Sequence, residues 1–238
     1  MTMTSHIETK NLSRHYRRAS HTVQALDNVS VSVGKGEYLS IVGSSGSGKT
    51  TLLNLLAGLD TPTSGSVDFD GASLSSFSRR QLAAYRAYKI GMIFQSFNLI
   101  SHYTALQNVE TALYFNNTLP AERRRLAMET LERLGLGDRI GHRPADLSGG
   151  EQQRVAVARA IIKKPEILFA DEPTGNLDYD NANHIASLMR ELNSEGLTII
   201  LVTHNLELAQ QESQRVIRMQ YGHVAADVQT SGAGARPV

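Results

Sequence analysis

One stretch limits the fold of this chain more than any other. Gly43-Ser-Ser-Gly-Ser-Gly-Lys49-Thr50 follows the apolar run Tyr38 to Val42 and precedes Thr51 to Ala57, whose pattern is helical. A buried strand that ends in G-x-x-x-x-G-K-[ST] and re-enters a helix is a device for holding phosphate. Gly46 and Gly48 let the backbone turn so that successive N–H groups point inward, and the following helix adds the positive end of its dipole. Gly43, Ser44, Ser45, Ser47 and Thr51 complete the candidate cradle. Lys49 can reach the outer phosphates of a nucleoside triphosphate, and Thr50 offers a hydroxyl to Mg²⁺.

Two further apolar runs, Ile167 to Ala170 and Leu197 to Val202, have the pattern of strands covered on both faces in a parallel sheet. Between them Ile185, Leu188, Met189 and Leu192 recur at i, i+3, i+4 and i+7, one apolar helical face, and predict a βαβ crossover. The first run ends in Asp171-Glu172. In a phosphate site one such acid orders the water around Mg²⁺ and the other faces the attacking water. Asp171 is therefore the candidate metal-side acid and Glu172 the candidate general base. Adjacent acids are also common at exposed strand ends; the phosphate loop gives this pair its chemical reading. Val29, Val31 and Val33 alternate with Ser30 and Ser32, and Val67 and Phe69 with Asp68 and Asp70 before Asp70-Gly71, which predicts half-buried antiparallel strands.

From about Gln95 to Lys164 the buried-strand pattern is missing and the chain reads as mainly helical. Pro120 starts and Gly135 stops a segment in which Leu126, Leu131 and Leu134 share a face. A helical subdomain inserted at about residues 96–164 follows. A hydrophobic content of 41% supports a sizeable core, and 24 Lys and Arg against 23 Asp and Glu argue against a general nucleic-acid or anionic-lipid binder. Zero cysteines exclude disulfides, thiolate metal sites and cysteine nucleophiles. Met1 to Thr9 lacks an apolar core of signal-peptide length, and no stretch approaches the roughly 18 apolar residues of a spanning helix. The expectation is one domain over residues 5–226, neither exported nor integral, with a disordered Gly- and Ala-rich tail over 227–238.

Ser148 and Glu151 form a capping box ahead of an Ala- and Val-rich helix that ends near Pro165, and Gly149 and Gly150 leave the N–H groups of that helix start bare toward an anion. Leu147-Ser148-Gly149-Gly150-Glu151, with Gln152-Gln153-Arg154-Val155 after it, resembles the signature sequence of the ABC ATPase family. The resemblance runs from about Ile7 to Val224. It implies an α/β fold: a P-loop NTPase core with a mainly parallel sheet, an N-terminal antiparallel β subdomain and an inserted α-helical subdomain. It also implies an ATP-binding and ATP-hydrolysing motor subunit that uses ATP and Mg²⁺. Residue by residue, Tyr16 matches the aromatic that stacks on adenine, the reading preferred over simple packing of an aromatic beside His15 and Arg17-Arg18. Gln95 in Ile93-Phe-Gln-Ser matches the Q-loop glutamine, Asp178 in Gly175-Asn-Leu-Asp the D-loop acid, and His204 after Val202-Thr203 the switch histidine near the γ-phosphate. Ser148, Gly149, Gly150 and Glu151 would meet the γ-phosphate of ATP held by the opposite subunit. Lys49, Gln95, Glu172 and His204 are then the catalytic candidates, and Thr50, Gln95 and Asp171 the metal ligands. The other histidines lack the paired spacing of a zinc site.

Within the family, Phe97-Asn-Leu99, Leu106-Gln-Asn-Val109 and Pro173-Thr-Gly-Asn-Leu-Asp178 resemble the branch that includes macrolide-export, lipoprotein-release and cell-division ATPases. That branch implies an integral FtsX-like permease as partner, a periplasmic adaptor as a further candidate, no nucleic acid, and a place on the cytoplasmic face of the inner membrane held through the permease. One loop and one signature per chain imply a head-to-tail homodimer holding two nucleotides. Phe97 to Thr104 is the expected surface for the permease's coupling helix. Beside export, lipoprotein release and mechanotransmission stand an importer motor and a cargo-free regulator of an extracellular enzyme. A soluble DNA-repair or translation ATPase would usually need a coiled-coil insertion, a zinc hook or a second nucleotide domain, and the sequence has none of these.

Overall fold

The computed structural model describes residues 5–18 and 21–230. In chain order the first elements are β1 (Ser5–Arg18), β2 (His21–Val29), β3 (Ser32–Gly34), β4 (Tyr38–Val42), α1 (Lys49–Leu56), β5 (Ser64–Phe69), β6 (Ala72–Ser73), α2 (Arg79–Tyr88) and β7 (Ile90–Ile93). They are followed by α3 (Ala105–Glu110), α4 (Pro120–Arg133), α5 (Gly149–Ile161), β8 (Ile167–Asp171), α6 (Tyr179–Ser194), β9 (Thr198–Thr203), α7 (Leu206–Glu212), β10 (Arg215–Gln220) and β11 (His223–Gln229). Among the described residues no helix is long and apolar enough to cross a membrane. The described residues divide into two compact units: those between 5 and 83 together with 190–230, and residues 84–189.

The first unit holds two sheets. In one, β2, β3 and β5 all pair antiparallel with the long β1, and β6 pairs with β5. Asp70 (φ 46) and Gly71 (φ 80) turn the chain between Phe69 and Ala72. Two consecutive left-handed residues are what a tight hairpin with right-handed strand twist needs. The predicted valine alternation holds, with Val29, Val31 and Val33 buried and Ser30 and Ser32 exposed. It does not form one strand, however. Asn28 at φ 54 redirects the backbone. The buried Thr9 hydroxyl then takes over as partner, accepting from Val31 N (2.9 Å) and donating to Val29 O (3.1 Å).

In the second sheet β10, β4 and β9 run parallel, with β11 antiparallel to β10. Every residue of β4 and β9 is buried, as expected of strands covered on both faces. The folded chain passes the predicted boundary at residue 226. Asp227 to Gln229 belong to β11, where Asp227 accepts from the Arg215 guanidinium at 2.6 Å, and Thr230 N donates to Gln214 O at 2.9 Å. A sequence rich in small residues hid a short strand that its pairing with β10 creates. Residues 231–238, the rest of the expected tail, lie outside the described residues.

In the second unit β7 and β8 pair in parallel, Ile90 to Ile93 against Ile167 to Ala170. The stretch between them is helical, as predicted. Pro120 occupies the first turn of α4, and Gly135 (φ 68) follows its end. The buried face of α4 is Ala127 and Leu131, continued by Leu134; Leu126 is only half-buried. Helix α5 stops at Ile161, a turn before Pro165, because Lys164 at φ 50 has already reversed the chain. Helix α6 buries the predicted face of Ile185, Leu188, Met189 and Leu192, and β8, α6 and β9 follow one another in the predicted order.

Candidate nucleotide site

In the first unit the loop from Gly43 to Gly48 leaves the end of β4 and delivers Lys49 and Thr50 onto the first turn of α1. Its glycines answer two different demands. Gly46 sits at φ 77, and a Cβ there would meet nothing within 4 Å, so its glycine serves the turn itself. A Cβ on Gly43 would lie 2.4 Å from Met219 O, and one on Gly48 2.5 Å from Ala25 O, so these two serve close packing against β10 and β2. The Lys49 ammonium is buried and donates to Gly43 O (2.8 Å) and Ser44 O (3.0 Å). Ser47 Oγ is buried without a hydrogen-bond partner. Ser44, Ser45, Gly46 and Thr50 are exposed, and Thr51 is half-buried. A bare turn, a buried cation held by carbonyls and an orphaned hydroxyl fit the phosphate chain of a nucleotide, which would give the ammonium a compensating charge.

His204, immediately after β9, lines a cleft of about 300 Å³ with Gly43, Ser44, Leu206, Arg218 and Gln220. The structure thus brings the predicted switch histidine to the start of the phosphate loop. Tyr16, in β1, stands directly opposite Val23 of β2. Its hydroxyl donates to Asp60 Oδ2 (2.7 Å), and the Arg14 guanidinium lies over its ring, 4.6 Å from the centroid.

The second unit carries Asp171 and Glu172, the predicted Q-loop residue Gln95 and the predicted signature Ser148–Glu151. Asp171 ends β8, half-buried, and Glu172 follows at φ 48. A non-glycine residue in that region costs on the order of 1–3 kcal/mol, and such strain collects where side-chain direction matters. Next to it, Pro173 O accepts from the fully buried Gln153 of α5. Gln95 lies beyond β7; its carbonyl accepts from Asn176 Nδ2 at 2.9 Å, and a Cβ on Gly175 would approach its amide nitrogen to 2.9 Å. Phe97 (φ 57) and Asn98 (φ 50) form a left-handed pair whose carbonyls both accept from Arg159 of α5, at 2.7 and 2.5 Å. Burial lowers the pKa of that guanidinium.

At the start of α5, Ser148 Oγ accepts from Glu151 N (3.3 Å) while Glu151 Oε2 accepts from Ser148 N (2.8 Å), the reciprocal cap predicted. Arg139 donates to Glu151 Oε1 at 2.8 Å, and this bond, with that from Ser148 N, holds the Glu151 carboxyl down to about 2. A Cβ on Gly149 would meet nothing closer than Leu177 Cδ2 at 3.7 Å, whereas one on Gly150 would fall 1.9 Å from Asn181 Oδ1. Asn181 in turn donates its backbone N–H and its amide to the Asp178 carboxylate (2.8, 3.0 and 2.8 Å), which holds that carboxyl below its ordinary range. The start of α5 and the Asp178 segment are thus packed together through Gly150 and Asn181.

Sequence reasoning missed several residues that organise these segments: Arg14, Asp60, Arg159, Asn181 and the fully buried Asn108. Asn108 accepts from Ile100 N (2.7 Å) and donates to Ile100 O, Tyr103 O and Thr104 O (3.1, 3.3 and 3.0 Å), which shapes the loop before α3. A signal was present there, since Asn108 interrupts the apolar set Ala105, Leu106 and Val109, and a polar residue on a buried face must have partners.

The family model described as ABC transporter matches residues 26–175. Among solved structures, the chain is similar to a dimeric, post-hydrolysis state of the ATP-binding cassette MJ0796 bound to ADP and Pi. That match has 39% identity over 95% of this chain and 99% of that one, with a TM-score of 0.87. A second dimeric structure of MJ0796, described as a bacterial ABC transporter cassette, is 40% identical with the same coverage of 95% and 99% and a TM-score of 0.88. The family match over residues 26–175 and the likeness to these cassettes along nearly the whole chain show that the chain belongs to the ABC transporter family and is its ATPase cassette, an ABC-type ATP hydrolase.

Proposed function

We propose that the protein is the motor subunit of a membrane transporter of the macrolide-export, lipoprotein-release and cell-division branch, working as a head-to-tail homodimer beneath an FtsX-like permease at the cytoplasmic face of the membrane. The observation that carries the reading is that, among the described residues, there is one phosphate loop, Gly43–Thr50, and one capped helix start bared by two glycines, Ser148–Gly150. A site that needs both kinds of element, supplied by different subunits, makes two equivalent sites in a two-fold dimer. The dimeric state of the MJ0796 cassette supports this.

In such a dimer the loop N–H groups and Lys49 bind the phosphates of ATP, and the partner subunit's signature helix presents its N-terminus to the γ-phosphate. Glu172 takes the proton of the attacking water, oriented with Gln95, and His204 hydrogen-bonds the γ-phosphate. Thr50, Gln95 and Asp171 would hold Mg²⁺, whose charge offsets that of the phosphates. Loss of the γ-phosphate removes the link between subunits, and the opening passes through the Gln95 segment to Phe97–Thr104 and the permease.

Mixing two dead subunits tests the composite site. Lys49→Ala and Gly149→Asp should each lower turnover by about 100-fold or more alone, while their mixture regains part of it, because the mixed dimer contains one site with both elements intact. A mixture as inactive as its components counts against the reading.

A further inference from the structure

We propose that Asp60 and Arg14 are positioning residues for the nucleotide base: together they lock the Tyr16 ring as a stacking platform held in register with the phosphate loop. The inference rests on the reading of Tyr16 as the base-stacking aromatic and adds the groups that make it one.

Both oxygens of the Asp60 carboxylate are committed. Oδ2 accepts from Tyr16 Oη (2.7 Å) and Arg14 Nε (2.9 Å), and Oδ1 accepts from Arg14 Nη2 (2.8 Å) and Thr61 N (2.7 Å). The pairing of Arg14 with Asp60 is bidentate, the stronger and more directional form of such contacts. It lays the guanidinium over one face of Tyr16, where the ring quadrupole attracts it. A hydroxyl bond alone would leave the ring free to tilt; with the guanidinium over it, the ring plane is set. Val23, directly opposite Tyr16 in the strand register and 40% exposed, extends the apolar surface on the same side of the β1–β2 pair. A flat heteroaromatic base fits such a surface, and stacking of this kind is tolerant of base identity.

The latch is also tied to the phosphate end of the site. Leu59 N and Asp60 N both donate to Asn54 O, near the end of α1 (2.8 and 3.3 Å), and α1 opens with Lys49. The cradle and the carboxylate that holds the platform therefore sit at opposite ends of one short helix, eight residues and roughly 12 Å long. Fixing both ends on one rigid element sets their separation before the nucleotide arrives, which removes ordering cost from binding.

The test titrates the full chain with ADP, which binds without turnover, and with inorganic tripolyphosphate, which engages the phosphate loop alone. Tyr16→Phe removes the hydroxyl and keeps the ring; Asp60→Asn keeps the shape and removes the charge; Tyr16→Ala removes the platform. Tyr16→Phe and Asp60→Asn should each weaken ADP by about 3- to 10-fold, and Tyr16→Ala by about 10- to 100-fold, with tripolyphosphate binding unchanged in all three. The double variant Tyr16→Phe with Asp60→Asn should be little worse than Asp60→Asn alone, because the hydroxyl bond lost in Tyr16→Phe is one of those that the Asp60 carboxylate holds. If Tyr16→Ala weakens ADP while the two conservative variants bind like wild type, the platform stands and the latch is wrong. If Tyr16→Ala also binds like wild type, the base-stacking reading itself fails. Tripolyphosphate weakening in parallel with ADP would show damage to the loop instead of positioning of the base, and would likewise overturn the proposal.

Discussion

Gly149→Asp separates folding from chemistry at the signature. Gly149 lies outside the left-handed backbone region, and an added Cβ would have its nearest neighbour at 3.7 Å, so the substitution has room. A carboxylate in the first turn of α5 also favours the helix dipole, by about 0.3–1 kcal/mol. Stability should therefore hold or rise slightly. Opposite a γ-phosphate the same charge is repulsive: at about 4 Å the interaction is roughly 1 kcal/mol in water and 4 kcal/mol at the dielectric of a protein surface. Taking about 3 kcal/mol for a partly desolvated interface, turnover should fall about 100-fold. Thermal melting and ADP titration, both reporting on one subunit, should match wild type, while saturating ATP turnover collapses. A folded variant that keeps turnover within about threefold of wild type would refute the placement of the signature against the phosphate.

Gly150→Ala should behave oppositely, since its Cβ would fall 1.9 Å from Asn181 Oδ1. A loss of about 1–3 kcal/mol in denaturant melts, relieved by Asn181→Ala in the same chain, is expected. Replacing Asn108 by Ala strips the loop before α3 of its partners and should cost about 2–4 kcal/mol, seen as a fall in melting temperature. The Glu151 carboxyl is held from 4.5 down to about 2 by Arg139 and Ser148, so its bonds stabilise the fold fully above pH 4.5, and that contribution is lost as pH falls through about 2. Arg139→Gln should accordingly lower stability by roughly 0.5–1 kcal/mol at neutral pH, as for a partly exposed pair, and the gap should close toward pH 2 in urea melts. Ile100→Glu with His102→Glu, both exposed on the proposed permease surface, should leave turnover of the isolated subunit unchanged but abolish stimulation by co-purified permease.

Local rules carried much of this architecture. The strand–loop–helix around Gly43–Thr50 is visible because glycine spacing, an apolar run and a helix start coincide, and α4 because Pro120 and Gly135 bracket it. The capping box at Ser148 and Glu151 is equally local. What escaped the sequence depends on long-range partners. The break between β2 and β3 is set by the Thr9 hydroxyl, and β11 by its ladder with β10. The site followed the same division. Lys49, Glu172 and His204 sit in recognisable strings, whereas Asp60 matters through Tyr16, 44 positions away, and Arg159 through carbonyls 61 and 62 positions away. No periodicity encodes such pairs. The strained φ of Glu172 is likewise invisible in Ala170-Asp171-Glu172-Pro173, since nothing local demands it.

If each active site is completed by a second copy of the chain, ATP must hold two subunits together. Light scattering of purified Glu172→Gln protein with ATP and Mg²⁺, beside wild-type turnover, reads this out, because the substitution removes the base while keeping side-chain size and the phosphate cradle. A stable dimer that forms only with ATP and retains two nucleotides, with turnover abolished, is the predicted result. A protein that remains monomeric yet hydrolyses ATP would rule out the shared site, since that site would then be complete within one chain.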